Sequence, residues 1–193
     1  MANEINYQEM DNSEADVIKE KGLGVELYEW LESLGTMTML VLLIVIFLFR
    51  LSYVEGDSMS PTLENGDALF VTDFDYVPQA GDIVIVDSDG LGKFIVKRVI
   101  ATAGQTIDID FEFGTVSVDG QYLEEPYANG RTFLDEGGFE YPVTVPENSI
   151  FVMGDNRMHS TDSRDARIGF VDQDSVYGKV VIRVYPFNKI TTY

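Results

Sequence analysis

Ser52-Tyr53-Val54-Glu55-Gly56-Asp57-Ser58-Met59-Ser60-Pro61-Thr62-Leu63 stands directly after the only long apolar run in the chain. It divides two kinds of sequence. Before it the chain is apolar and uncharged; after it come short alternating segments broken by turn residues. Within the stretch, Gly56 permits backbone geometries closed to other residues, and Pro61 restricts Ser60 to extended conformations. Ser58 therefore lies in a pre-shaped loop. Serine near Gly and Pro is usually a turn residue; the other use of such a loop is to present a nucleophile.

On the N-terminal side, the 17 residues Ser33–Phe49 carry no charge, and Met37–Phe49 is Leu, Ile, Val, Phe and Met apart from Thr38. As a helix they cover roughly 25 Å, a little short of a bilayer's hydrocarbon core. Arg50 can snorkel, which lets the helix run on through Leu51–Val54 and gives an anchor over 33–54. A cleavable signal peptide fits less well: the lead is long and acidic, and no small-x-small site follows the run. Val25–Leu34 places Leu27, Trp30, Leu31 and Leu34 at helical spacing, with Tyr28 and Trp30 suited to a membrane interface. Met1–Glu20 is acid-rich without an apolar period and reads as mostly disordered, so that 1–32 forms an acidic cytoplasmic tail. Lys19 and Lys21 precede the run and Arg50 follows it, so charge alone does not orient the anchor.

On the C-terminal side, Ala68–Thr72, Ile83–Val86, Phe94–Ile100, Thr115–Val118, Ile150–Met153 and Val180–Tyr185 are rich in β-branched and aromatic residues and predict strands. Asp119-Gly120 predicts a two-residue hairpin turn, and Asp89-Gly90 another turn. No long helix is predicted after residue 60. The fold class is mostly β: an N-terminal transmembrane helix, then an antiparallel β-sheet or barrel-like domain made of 55–101 and 145–193. The more polar, Gly-rich 102–144 forms a smaller inserted β subdomain.

Composition removes several chemistries. Thirteen basic residues against 33 acidic ones give a net charge of −20, which speaks against nucleic acid as a partner. With no cysteine, thiol catalysis and disulfides are excluded, and the single His159 cannot build a histidine-rich metal site. Lys97 is the more informative residue. In a strand over Phe94–Ile100, Ile95, Lys97 and Val99 share one face, and Phe94, Val96, Arg98 and Ile100 the other. Burial among apolar neighbours disfavours the ammonium form, and a neutral lysine can take a proton from a serine hydroxyl. The commoner fate of a strand lysine is to snorkel to water. Arg98, on the opposite face and always charged, cannot act as a base. Gly154–Asp165 is a loop dense in hydrogen-bonding side chains. His159 within it is a rival base, and a Ser58/His159/Asp162 triad ranks below Ser58/Lys97.

Taken together, Gly56–Leu63, Lys97-Arg98-Val99-Ile100, and Gly154-Asp155-Asn156-Arg157 with Ser160, Asp162, Ser163, Arg164 and Gly169 resemble the bacterial type I signal peptidase family. Gly81–Val84 and Glu125–Tyr127 are similar more weakly. The resemblance implies a membrane-bound serine endopeptidase that removes signal peptides from exported preproteins, facing away from the cytoplasm and needing no cofactor. Its partners would be signal peptides and the lipid bilayer. It implies Ser58 as nucleophile and Lys97 as general base, with Ser160 orienting the lysine. Asp162 would stand near Ser160, paired with Arg164, and Asp155 would serve the loop. Met59 and Val96 would line pockets for small side chains. Two positions depart from the family pattern. Gly56 stands where some members carry a hydroxyl that helps form the oxyanion hole, leaving backbone N–H groups, chiefly that of Ser58. Glu55 stands where an apolar residue or proline is common in the pocket wall. The segment Asp165–Ile168 is longer than in some relatives and predicts a local bulge. Rival readings are a catalytically inactive signal-peptidase-like assembly factor, a self-cleaving repressor-type protein, and an anchored binding domain. The acidic N-terminal part speaks against the second.

Overall fold

The computed structural model describes residues 7–193, with side-chain surroundings from residue 24. The chain divides into a helical unit ending at Phe47 and a β unit, Leu48–Tyr193. A single helix, α1, runs from Tyr7 to Leu48. The disorder expected for Met1–Glu20 is therefore corrected from Tyr7 onward; residues 1–6 lie outside the described residues. Between Tyr7 and Lys21 the sequence has no proline or glycine. Its Glu, Ala, Lys and Met are good helix formers, and a long apolar helix that follows supplies the costly nucleus. Within α1, Gly24–Leu48 contains an 18-residue window of mean hydropathy 2.3, and its residues up to Phe47 are exposed. It is long and apolar enough to cross a membrane.

The helix does not continue through Val54. Arg50–Tyr53 forms strand β1. It pairs antiparallel with β2 (Ala68–Thr72), from Arg50 opposite Val71 to Tyr53 opposite Ala68. Sheet pairing thus takes up the backbone groups that a longer anchor would have kept inside the helix.

The remaining strands are β3 (Ile83–Ser88), β4 (Lys93–Thr102), β5 (Thr106–Asp110), β6 (Thr115–Val118), β7 (Gln121–Tyr122), β8 (Val143–Thr144), β9 (Ser149–Met153), β10 (Val171–Asp172), β11 (Val176–Tyr185) and β12 (Thr191–Thr192). They form two sheets with antiparallel pairing throughout. The larger runs β1-β2-β11-β3-β4-β9-β10, with β12 on β11; the smaller runs β7-β6-β5-β8. The larger sheet is open, since no pairing joins β1 to β10. Past Leu48 the only helices are the single 3-10 turns Gln173–Ser175 and Phe187–Lys189. The turn between β6 and β7 has Asp119 at φ 52° and Gly120 at φ 77°, as a two-residue hairpin demands.

β3 is buried on both faces. Ile83 and Ile85 pack with Met59, Leu63, Leu69 and Val71; Val84 and Val86 pack with Ile95, Val99, Ile150 and Val152. That explains its unbroken Ile-Val-Ile-Val, since a strand covered on both sides has no polar face to alternate. The smaller sheet has no core of its own. Ile107, Ile109, Val116 and Val118 share one cluster with Ile100, Ala101, Phe151 and Met153 of β4 and β9. Phe151 is fully buried there, with Phe139, Tyr141 and Phe170 at ring-centroid distances of 6.0–6.4 Å. Phe151→Ala should cost about 3–5 kcal/mol. Because both sheets share that cluster, denaturant unfolding of this variant should remain one transition at lower midpoint, not resolve into two.

Candidate active site

Ser58 lies in the loop after β1, which is tied down locally: Ser60 N–H donates to Asp57 C=O at 3.0 Å and Leu63 N–H to Met59 C=O at 2.9 Å. Gly56 has φ 89°, a conformation side-chain-bearing residues rarely adopt, and its N–H donates to Asn65 Oδ1 at 2.9 Å. The N–H of Ser58 donates to no acceptor among the described residues.

Lys97 sits mid-strand in β4, opposite Val84 of β3 and 3 % exposed. Its neighbours two residues away, Ile95 and Val99, belong to the same core cluster. Nζ donates to Ser58 Oγ at 2.8 Å and to its neighbour's carbonyl, Val96 C=O, at 3.0 Å. Burial pulls the Lys97 pKa down to about 8. Asp162 opposes the shift, while Lys93 and Arg164 reinforce it. The amine and hydroxyl lie on a cleft of about 750 Å³ whose walls include Glu55, Val96, Lys93 and His159.

The loop after β9 closes the back of the site. Asp162 is fully buried and accepts from Gly154 N–H at 2.9 Å, from Ser160 Oγ at 2.7 Å and from Arg164 Nε at 2.8 Å and Nη2 at 2.9 Å. Asp155, also fully buried, accepts from Arg98 Nε at 2.8 Å, from Arg98 Nη2 at 2.7 Å, and from Thr62 Oγ1. Asn156 N–H donates to Ser58 C=O at 2.9 Å and its side-chain amide to Asp57 C=O at 3.1 Å. Arg157 makes a two-pronged ion pair with Glu125 at 2.8 and 2.7 Å, and Tyr127 lies under Arg98 at 4.0 Å. The loop can come this close because residue 154 is glycine. A Cβ there would sit 2.2 Å from Ser160 Oγ and 2.5 Å from Ser58 C=O.

Of the residues singled out in the sequence, the structure brings Ser58 and Lys97 into contact, pairs Asp162 with Arg164, and puts Val96 and Glu55 on the cleft wall. Three placements differ. Met59 is 1 % exposed and packed in the core with Leu63 and Leu69, so it lines no part of the cleft. Ser160 donates to Asp162, and its hydroxyl makes no hydrogen bond to Lys97. His159 is exposed on the rim and bonded to neither Ser58 nor Asp162, whose oxygens are occupied by other donors, so no His-based triad is assembled. Where a local bulge is expected, Asp165–Ile168 forms a turn, with Ile168 N–H donating to Asp165 C=O at 2.9 Å. Three contributors escaped the sequence reading: Thr62, the side-chain amide of Asn156, and Lys93. Only Asn156 carried a signal, as a polar residue beside Gly154 and Asp155.

A serine hydroxyl in hydrogen-bond contact with a buried amine whose pKa is lowered, at the wall of an open cleft on a β scaffold, is an arrangement that a serine hydrolase with an amine base can use. A family model described as "Signal peptidase, peptidase S26" matches residues 27–185. The chain belongs to this signal peptidase family, a family of serine endopeptidases. Signal peptidase I of Bacillus licheniformis is 39 % identical over 173 residues, 85 % of this chain and 91 % of that one. A probable signal peptidase I-1 of Synechocystis is 38 % identical over 78 % of each chain. Signal peptidase I T of Bacillus subtilis is 36 % identical over 84 % of this chain and 87 % of its own.

The lowered pKa has a stability consequence. Folded Lys97 loses its proton near pH 8, whereas the unfolded lysine keeps it to about 10.5. Below pH 8 both states are protonated and the folded one carries the full cost of a buried charge; between 8 and 10.5 that cost is relieved as pH rises. Lys97→Met, which has no proton to bury, should be more stable than the parent at pH 7 by up to about 3 kcal/mol. Denaturant melts across pH should show the gap closing between 8 and 10.5.

Proposed function

We propose that this protein is a membrane-bound signal peptidase I that cleaves signal peptides from exported preproteins, with Ser58 as nucleophile and Lys97 as general base. The 2.8 Å contact between Lys97 Nζ and Ser58 Oγ carries the reading. In the neutral amine the nitrogen lone pair accepts the Ser58 proton as Oγ attacks the scissile carbonyl. The Ser58 N–H, which has no partner among the described residues, is available to the developing oxyanion. Lys97 then returns the proton to the leaving amine, and water repeats the sequence to release Ser58. Val96 and Glu55 on the cleft wall would meet the side chains before the cut. A protein that only bound extended segments would have no use for the desolvated amine.

The uncovered apolar stretch Gly24–Leu48 supports a single-pass anchor in the lipid bilayer. The β unit would then face the extracytoplasmic side, where signal peptides emerge, leaving 1–32 as a cytoplasmic lead. Residues 102–144 would be the insertion within a catalytic domain of 55–101 and 145–193. Enzyme and substrate confined to one bilayer surface meet at raised effective concentration.

Ser58→Ala and Lys97→Ala should each lower cleavage of a preprotein in detergent micelles at least about a thousand-fold, while His159→Ala stays active. An inactive but folded His159→Ala would put the imidazole back in the mechanism.

The rate should rise with pH through about 8, as Lys97 deprotonates. Lys93 is exposed on the cleft wall and its charge helps to lower the Lys97 pKa. Lys93→Ala should therefore move the acid limb of the pH–rate profile to higher pH. A limb that stays put or moves down would contradict the assignment of that limb to Lys97.

A further inference from the structure

We propose that Asn156 is a positioning residue for the oxyanion hole, gripping the carbonyls on both sides of Ser58 so that the Ser58 N–H faces the developing oxyanion. The inference rests on the reading of Ser58 as nucleophile. The Asn156 side-chain amide donates to Asp57 C=O at 3.1 Å, and its backbone N–H donates to Ser58 C=O at 2.9 Å. Asp57 C=O and Ser58 N–H are the two ends of one peptide unit. That unit is planar and trans, so fixing the direction of the carbonyl fixes the N–H in the opposite direction.

The local turn alone would hold this unit by one bond, from Ser60 N–H to Asp57 C=O at 3.0 Å. Asn156 supplies the second donor, filling both lone pairs of the carbonyl. A carbonyl that accepts two hydrogen bonds also polarises its own amide, making the N–H at the other end a better donor. The grip is rigid because Asn156 is itself held. It is 6 % exposed and bridged to Asn129, and its C=O accepts from His159 N–H at 3.0 Å. Asp155, one residue earlier, is locked by Arg98. Gly154 gives the loop its close approach to Ser58 C=O. The arrangement matters here because residue 56 is glycine, whose N–H is already given to Asn65. No side-chain hydroxyl stands there to share the oxyanion, so the accuracy of one backbone donor counts for more.

The test uses the full chain in detergent micelles on the alkaline plateau of the pH profile, with Asn156→Ala and the near-isosteric Asn156→Asp, whose carboxylate cannot donate. Both should lower kcat about 10- to 100-fold, less than outright loss of an oxyanion donor, with KM unchanged and, for the uncharged Asn156→Ala, the acid limb unchanged. Affinity for a peptide aldehyde, which forms a tetrahedral adduct on serine, should fall by a similar factor. Affinity for a non-cleavable substrate peptide should not change. The ratio of the two affinities is independent of the folded fraction, so partial misfolding would not imitate the result. Full kcat in Asn156→Ala, equal losses for aldehyde and substrate peptide, or full kcat in Asn156→Asp alone would each overturn the proposal. Ser58→Ala run alongside separates the claims. If it cleaves, the nucleophile reading falls and takes this role with it; if it is dead beside a fully active Asn156→Ala, only the role of Asn156 falls.

Discussion

A primary amine sheds its proton at about pH 8, well below its usual range, only where water is kept from it and no lone carboxylate holds the charge in place. Lys97 meets both conditions. β4 buries its stem between Ile95 and Val99, and β3 closes over it from the neighbouring strand. The carboxylate with the largest influence, Asp162, would by itself favour the ammonium form. Arg164 is clamped onto that carboxylate through two nitrogens, and its charge acts on Lys97 in the opposite sense. Arg164 offsets part of the carboxylate's pull and Lys93 adds to the offset, so desolvation, the largest influence, decides the outcome.

The same loop that carries this pair also fixes the serine. Asp155 joins Arg98 of β4 to Thr62 of the serine loop, so Ser58 and Lys97 are referenced to one buried carboxylate. Removing one partner of such a pair would leave a buried charge exposed to no solvent and no counter-ion, which makes the junction rigid whatever its net contribution to stability. The smaller sheet takes part from the other side. Glu125, shortly after β7, holds Arg157 through both oxygens, and Arg157 Nε donates to Gly154 C=O at 3.0 Å. The sheet that lacks its own core thus braces the loop on which the site depends.

Much of this was legible in the sequence, for identifiable reasons. Strand alternation in Phe94–Ile100 separates Lys97 from Arg98 without reference to any other part of the chain. The Asp119-Gly120 turn was legible because few residue pairs accept positive φ at both positions. The illegible parts depend on partners distant in sequence. Arg50–Tyr53 continues an apolar run and became a strand only because β2 offers it an edge. Met59, next to Ser58, looked like pocket wall; Leu63, Leu69 and Val71 draw it into the core. At a spacing of two residues in a loop, nothing distinguishes a Ser160 hydroxyl aimed at Lys97 from one aimed at Asp162. Arg98 was legible as a non-base, but its grip on Asp155 was not, because that partner lies 57 residues away.

Four arginines, Arg98, Arg157, Arg164 and Arg183, are at most 8 % exposed, each on its own carboxylate. Drawn inward as matched pairs, they leave the charge imbalance to the exterior, where few cations remain among many acids. The β unit therefore meets its solvent as a polyanion. Its self-repulsion is long-ranged in dilute buffer and shrinks to about 10 Å at 0.1 M ionic strength. Counterions in the surrounding medium thus become a working part of how tightly the outer loops are held, even though the interior ion pairs do not feel them.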